Sequence, residues 1–160
     1  MLRSATIVLA ACAAGFLVST AAEAQSFDPR RCSAIRDVDV PYDINGEGQA
    51  IIFTRGNERI TVSDRSIVAG ASRLDDPALA GPYLASLRRF MASSRRFPVA
   101  AANFGRSVAA DRERTRAETP GFLGAMRDMC QSLIEVSEVQ ARIKRAFPAF
   151  APPIRVTLAN

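Results

Sequence analysis

The stretch Asp43-Ile44-Asn45-Gly46-Glu47-Gly48 is the sharpest chemical motif in the chain. Oxygen ligands at alternate positions with a glycine at the sixth match the first half of a calcium loop. The twelfth position is Thr54, where such a loop needs a bidentate glutamate, and the flanks have strand character. Asn-Gly between two strand-like runs is also a hairpin signal, and the stretch is read as a turn. Asp37, Asp39 and Asp43 are expected on one strand face, as a solvated row that guards against edge pairing. Asp37 and Asp39 would lie about 7 Å apart along one strand. Nothing near them in sequence suits one as acid and the other as base, so a carboxylate-pair hydrolase has little support.

The chain contains no histidine. That excludes histidine general bases, histidine-containing zinc sites and Ser-His-Asp or Cys-His catalysis. The one lysine, Lys144, sits among arginines at the expected end of a helix, with no sign of the desolvation a Ser-Lys dyad requires. No glycine-rich phosphate loop or dinucleotide fingerprint is present. No catalytic constellation, cofactor or metal site is expected.

Arg88, Arg89, Arg95 and Arg96 form a basic strip beside the apolar residues Tyr83, Leu84, Leu87, Phe90 and Met91. An arginine-flanked amphipathic helix can lie on an anionic membrane. The same pattern is what a packed helix with one wet side needs. Met91, Met126 and Met129 read as core filler before they read as a binding groove.

The N-terminus reads as a targeting segment. Met1-Leu2-Arg3 is a short positive start, Ser4 to Ser19 is almost entirely apolar or small, and Ala22-Glu23-Ala24 fits a signal peptidase site, with cleavage expected after Ala24. Two alternatives stand beside it. Leu9-Ala10-Ala11-Cys12 resembles a lipoprotein box that would anchor the protein through Cys12, and Ser4–Ala22 is barely long enough to span a bilayer uncleaved. In each case the folded part is exported, to the periplasm or beyond.

Gln25 to Asn160 is 136 residues, one domain's worth. Its charge is uneven: −2 from Gln25 to Ala80 and +7 from Gly81 to Asn160, nearly all of the positive charge from arginine. The excess favours anionic partners, and export makes nucleic acid an unsuitable one. Cys32 and Cys130 are most simply a disulfide in an oxidising compartment, tying the start of the domain to a long helix.

These residues need elements to position them. Val38, Val40, Tyr42 and Ile44 alternate with polar residues and predict one strand, placed at an edge by Pro41. Gln49–Thr54 and Arg59–Ser63 predict two more, with Arg55–Glu58 as the turn between them and Ile67-Val68 as a short addition. Asp76-Pro77 predicts a helix start. Gly81-Pro82 is expected to restart that helix, and Pro98 to end or bend it. A long helix is expected from a Thr119 cap and Pro120 to Phe147, with Met126, Met129, Leu133, Val136, Ile143 and Phe147 on one stripe that only Gln140 interrupts. After Pro148 the alternation of Ile154, Val156 and Leu158 predicts an edge strand.

The order of exported N-terminus, early cysteine, short strands, Y-x-x-x-L-R (Tyr83 to Arg88) and helices resembles the YggN-like periplasmic proteins over residues 50–105. The resemblance implies a periplasmic setting and assigns no functional residue.

The expectation is an α+β domain: an antiparallel meander of three to four strands, then two or three helices packed on it, with one disulfide. The expected function is a non-enzymatic interaction or structural module of a Gram-negative envelope with a protein partner. The alternative is peripheral binding of anionic membrane or lipopolysaccharide through Arg88, Arg89, Arg95 and Arg96.

Overall fold

The computed structural model describes residues 32–33 and 35–158. The targeting segment with Cys12 and Ala24, and the polar lead-in before Cys32, lie outside the described residues. Among the described residues the fold is α+β, with five strands in one antiparallel sheet, two in another, and two long helices.

The five-stranded sheet is a meander: β2 (Asp43–Glu47), β3 (Ala50–Arg55), β4 (Glu58–Val62), β5 (Ile67–Ala69) and β6 (Ser72–Leu74), in that spatial order. Three of its connections are two-residue loops, Gly48-Gln49, Gly56-Asn57 and Gly70-Ala71, each with its glycine at φ between 55° and 58°. Glycine at the first loop position supplies the positive φ that matches the loop to the twist of the strands. The first of these corrects the sequence reading. Asn45 and Gly46 do not turn the chain; they pair with Ile52 and Ile51 in the β2–β3 ladder, and the reversal comes two residues later. Because Asp43–Glu47 is paired strand, its backbone does not make the turn that a calcium loop requires. The fourth connection is closed by Ser63, whose N–H donates to the Ser66 carbonyl at 2.9 Å and whose hydroxyl accepts the Ser66 N–H at 3.1 Å.

The alternation from Val38 to Ile44 is not one strand. It divides at Val40–Tyr42 into β1 (Ile35–Asp39) and β2, which belong to different sheets. Pro41 has no N–H for a ladder, so the chain changes sheet there. Asp37 and Asp39 therefore share a strand with each other but not with Asp43. The tail strand β7 (Arg155–Leu158) pairs antiparallel with β1 and makes no edge of the meander. Arg155 stands opposite Asp39, with 3.6 Å between guanidinium and carboxylate.

Helix α1 (Pro77–Ala110) begins where expected: Asp76 accepts the Ala78 N–H at 2.9 Å, and Pro77 occupies the first turn. It then runs unbroken through Pro82 and Pro98. Each internal proline forfeits one backbone hydrogen bond. The helix persists past Pro82 because Tyr83, Leu84, Leu87 and Phe90 are buried against the sheet and the second helix, and past Pro98 because Phe97 and Phe104 pack on Phe122 of that helix. Helix α2 (Arg112–Ala146) starts eight residues before Pro120. Asp111 alone joins the two helices. Its N–H donates to the Ser107 carbonyl, and its carboxylate accepts the Arg114 N–H at 2.8 Å. Thr119 is not a cap; its hydroxyl donates to the Thr115 carbonyl inside the helix. The alanine and arginine content of residues 99–117 supplies the helix propensity that the sparse apolar pattern conceals.

The helices run antiparallel, so cross-pairs step in opposite directions: Tyr83 with Gln140, Arg89 with Glu135, Ser93 with Ser132, Phe104 with Phe122, Thr115 with Ser107. Ser86, Ser93, Ala100 and Ser107 recur every seven residues on α1, which keeps small side chains along the seam. The core is formed by Ile51, Phe53, Ile60, Val62 and Ile67 of the sheet with the buried faces of both helices, Phe150 and Ile154. Gln140, the break in the α2 stripe, is 5% exposed and donates to the Tyr83 hydroxyl at 3.0 Å. That bond satisfies both buried polar groups and fixes the helix register. Burial pushes the Tyr83 phenol pKa well up, and Gln140 offsets a little of the rise. Cys130, in the middle of α2, is bonded to Cys32 with Cα atoms 5.6 Å apart.

Candidate functional site

The clearest polar cluster is built at one end of the sheet by Tyr42, Arg55 and Glu58. Tyr42 Oη, Arg55 Nε and Arg55 Nη2 all donate to Glu58 Oε2, at 2.8, 3.0 and 2.7 Å. The Arg55 guanidinium also lies 4.7 Å from the Tyr42 ring centre. The phenol first, and the guanidinium second, hold the Glu58 carboxyl below its usual value of 4.5. A carboxylate already holding three donors, and kept ionised, serves as a clasp between the residue before β2 and the start of β4. Its contribution to stability is complete above the ordinary glutamate pKa. It is lost as pH falls through the depressed folded value. Glu58→Gln is accordingly expected to lower the thermal midpoint at about pH 6 and to narrow its gap to wild type at about pH 3. Equal gaps at both pH values would remove the clasp.

The basic strip is only partly available. Arg88 Nη2 donates to the Gln49 carbonyl at 3.0 Å, and Arg89 Nε pairs with Glu135 at 2.7 Å. Arg95 and Arg96 are exposed and make no ion pair among the described residues. The apolar face beside the strip, Tyr83 to Phe90, is buried in the core. Tyr83, Leu87 and Arg88 of the Y-x-x-x-L-R pattern thus each have a packing or bonding role inside the fold.

Exposed apolar surface lies elsewhere, on the half of the hairpin that runs past the core. Each helix is about 50 Å long, whereas the longest strand covers about 20 Å. The buried helix residues of the core end at Phe90 and Leu133. Among the described residues from Ser94 to Met129, Ser107 alone is buried. This half is held by a phenylalanine ladder. Phe104 and Phe122 stack with ring centres 4.7 Å apart, and Phe97 lies 6.1 Å from Phe122. Outside that ladder, Val99 is 61% exposed, Val108 58%, and Leu123 and Met126 45% each. Met126 therefore leaves the buried stripe to which its spacing assigns it.

Two depressions meet on this half at Leu123 and Arg127. One runs along the start of α2 past Val108, Arg112, Arg116 and Pro120. The other, a cleft of about 420 Å³, is lined by Phe97, Met126, Met129 and the disulfide. Sequence reasoning missed the first. Arg112, Arg116, Pro120, Leu123 and Arg127 recur at helical steps, but the pattern is visible only once the helix is known to begin at Arg112.

Fold and site together define an α+β scaffold bearing a long helical hairpin with a basic, partly apolar free end. No family model, curated protein or solved structure matches the chain.

Proposed function

We propose that this is an exported, non-enzymatic interaction module that meets a protein partner of the cell envelope through the far half of its hairpin. One observation carries the reading: the described residues 94–129 contribute one buried side chain, yet hold all four of the large exposed apolar residues. A contiguous exposed apolar patch marks an interaction site, and Val108 and Leu123 line one depression here. The disulfide supports an oxidising location. Periplasmic release after Ala24 accounts for that location, and anchoring through Cys12 is the alternative; the intact mass of the native protein separates them.

The test is site-specific photo-crosslinking in living cells, with the photoreactive residue at Val108 or Leu123 on the hairpin and at Arg65 or Ala71 on the sheet loops. The hairpin positions are expected to trap one protein of constant mass that the loop positions do not. Trapping at Arg65 or Ala71 alone, or lipid adducts alone, would refute the assignment.

A further inference from the structure

We infer that the α2 face from Arg112 to Arg127 receives an acidic amphipathic helix of a partner protein. The inference rests on the hairpin reading above and names the chemistry of its occupant. The face is one stripe: Arg112, Arg116, Pro120, Leu123 and Arg127 follow each other at three- and four-residue steps over about 22 Å. Val108, from the end of α1, lines the same groove. Four turns of a partner helix fit that length. Side chains at every third or fourth position of such a helix would cover Val108 and Leu123.

Charge selects the occupant. The groove is lined by Arg112, Arg116 and Arg127 and by one carboxylate, Asp111. That carboxylate already accepts the Arg114 N–H and lies 3.6 Å from the Arg114 guanidinium. Residues 95–127 carry seven arginines and three acidic residues. A second copy of this chain, docked on the same face about a two-fold axis, would set arginine against arginine. A flat anionic membrane fits less well. Val99 and Val108 are nine residues apart on α1, about half a turn out of phase, so the exposed apolar residues form no single inserting face. Glutamate-flanked leucines on a partner helix meet both halves of the stripe.

The test uses the oxidised protein and a labelled synthetic helix of about 20 residues, with leucine at helical spacing and glutamate beside it. Its counterpart has lysine for glutamate. Fluorescence anisotropy is expected to show saturable binding of the glutamate helix and none of the lysine helix. Leu123→Asp is expected to weaken binding about tenfold or more, as is the pair Arg112→Glu with Arg116→Glu. The charge-reversed pair is expected to gain the lysine helix, a swap that damage to the fold would not produce. Arg65→Glu, on the sheet, is expected to change nothing. Equal binding of both helices, no binding of either, or no loss in the charge-reversed pair overturns the inference. So does binding to phosphatidylglycerol vesicles in place of the peptide, or a dimer that Leu123→Asp dissolves. Crosslinks at Val108 and Leu123 in cells without peptide binding would sink this inference alone. No crosslinks there would sink the hairpin reading with it.

Discussion

Reducing the Cys32–Cys130 bond is expected to lower the thermal midpoint by about 10 °C or more. The bond joins residues 98 apart in sequence. In the chain-entropy account, a loop of that length restricts the unfolded ensemble by about 4.7 kcal/mol, and removing native disulfides typically costs about 2–5 kcal/mol. Whole domains are stable by only about 5–15 kcal/mol. The bond also fixes the chain just ahead of β1 to the middle of α2. The β1–β7 pair is a separate two-stranded sheet that hydrogen-bonds to no other strand among the described residues, so it should loosen first. Calorimetry of the native protein, the reduced protein and the Cys32→Ser/Cys130→Ser variant gives the answer. The last two should agree, and the variant should be indifferent to reductant. A midpoint unmoved by reduction would show that the crosslink does not restrain the fold.

Phe150→Ala is expected to cost about 3–5 kcal/mol, the range for emptying an aromatic site in a packed core. Phe150 lies beyond α2 and is 1% exposed. Its ring meets Tyr83 edge to face at 6.1 Å and stacks on Phe147 at 6.2 Å. It is the plug that turns the chain from α2 back toward β7, with its N–H donating to the Phe147 carbonyl at 2.9 Å. Losing it opens a cavity beside the Tyr83–Gln140 bond and frees the tail that pairs with β1. Denaturant unfolding measures the cost, and hydrogen exchange of the β7 amides separates local release from global loss. A cost below about 1 kcal/mol would mean that Phe150 is not part of the core. Phe150→Leu should recover part of the loss, because leucine keeps most of the buried area.

Periodicity and turn chemistry are local, and what they encode was readable from the sequence alone. The apolar run Ile51–Phe53, the alternation at Ile60–Val62, the Gly56-Asn57 loop, the Asp76 cap on Pro77 and the buried stripe of α2 follow from side-chain direction, positive φ and unsatisfied N–H groups. The disulfide followed from the two cysteines, Cys32 and Cys130, that lie beyond the expected targeting segment. Tertiary structure decided the rest. Pro82 and Pro98 stop a helix in isolation, but burial of Tyr83 to Phe90 outweighs the hydrogen bond lost at Pro82, and the contacts of Phe97 and Phe104 with Phe122 hold the two helices together past Pro98. The helix start moved from Thr119 to Arg112 because Asp111 could cap it and α1 was there to pack against. The run Val38–Ile44 split between two sheets because β1 found β7, more than a hundred residues away, and no local pattern encodes that partner. Gln140 broke a stripe in the sequence and became a buried hydrogen bond only when Tyr83 arrived from the other helix. The groove of Val108, Leu123 and the arginines exists only because two helices outrun the sheet. Exposure is a property of what fails to cover a residue, and that depends on the whole chain.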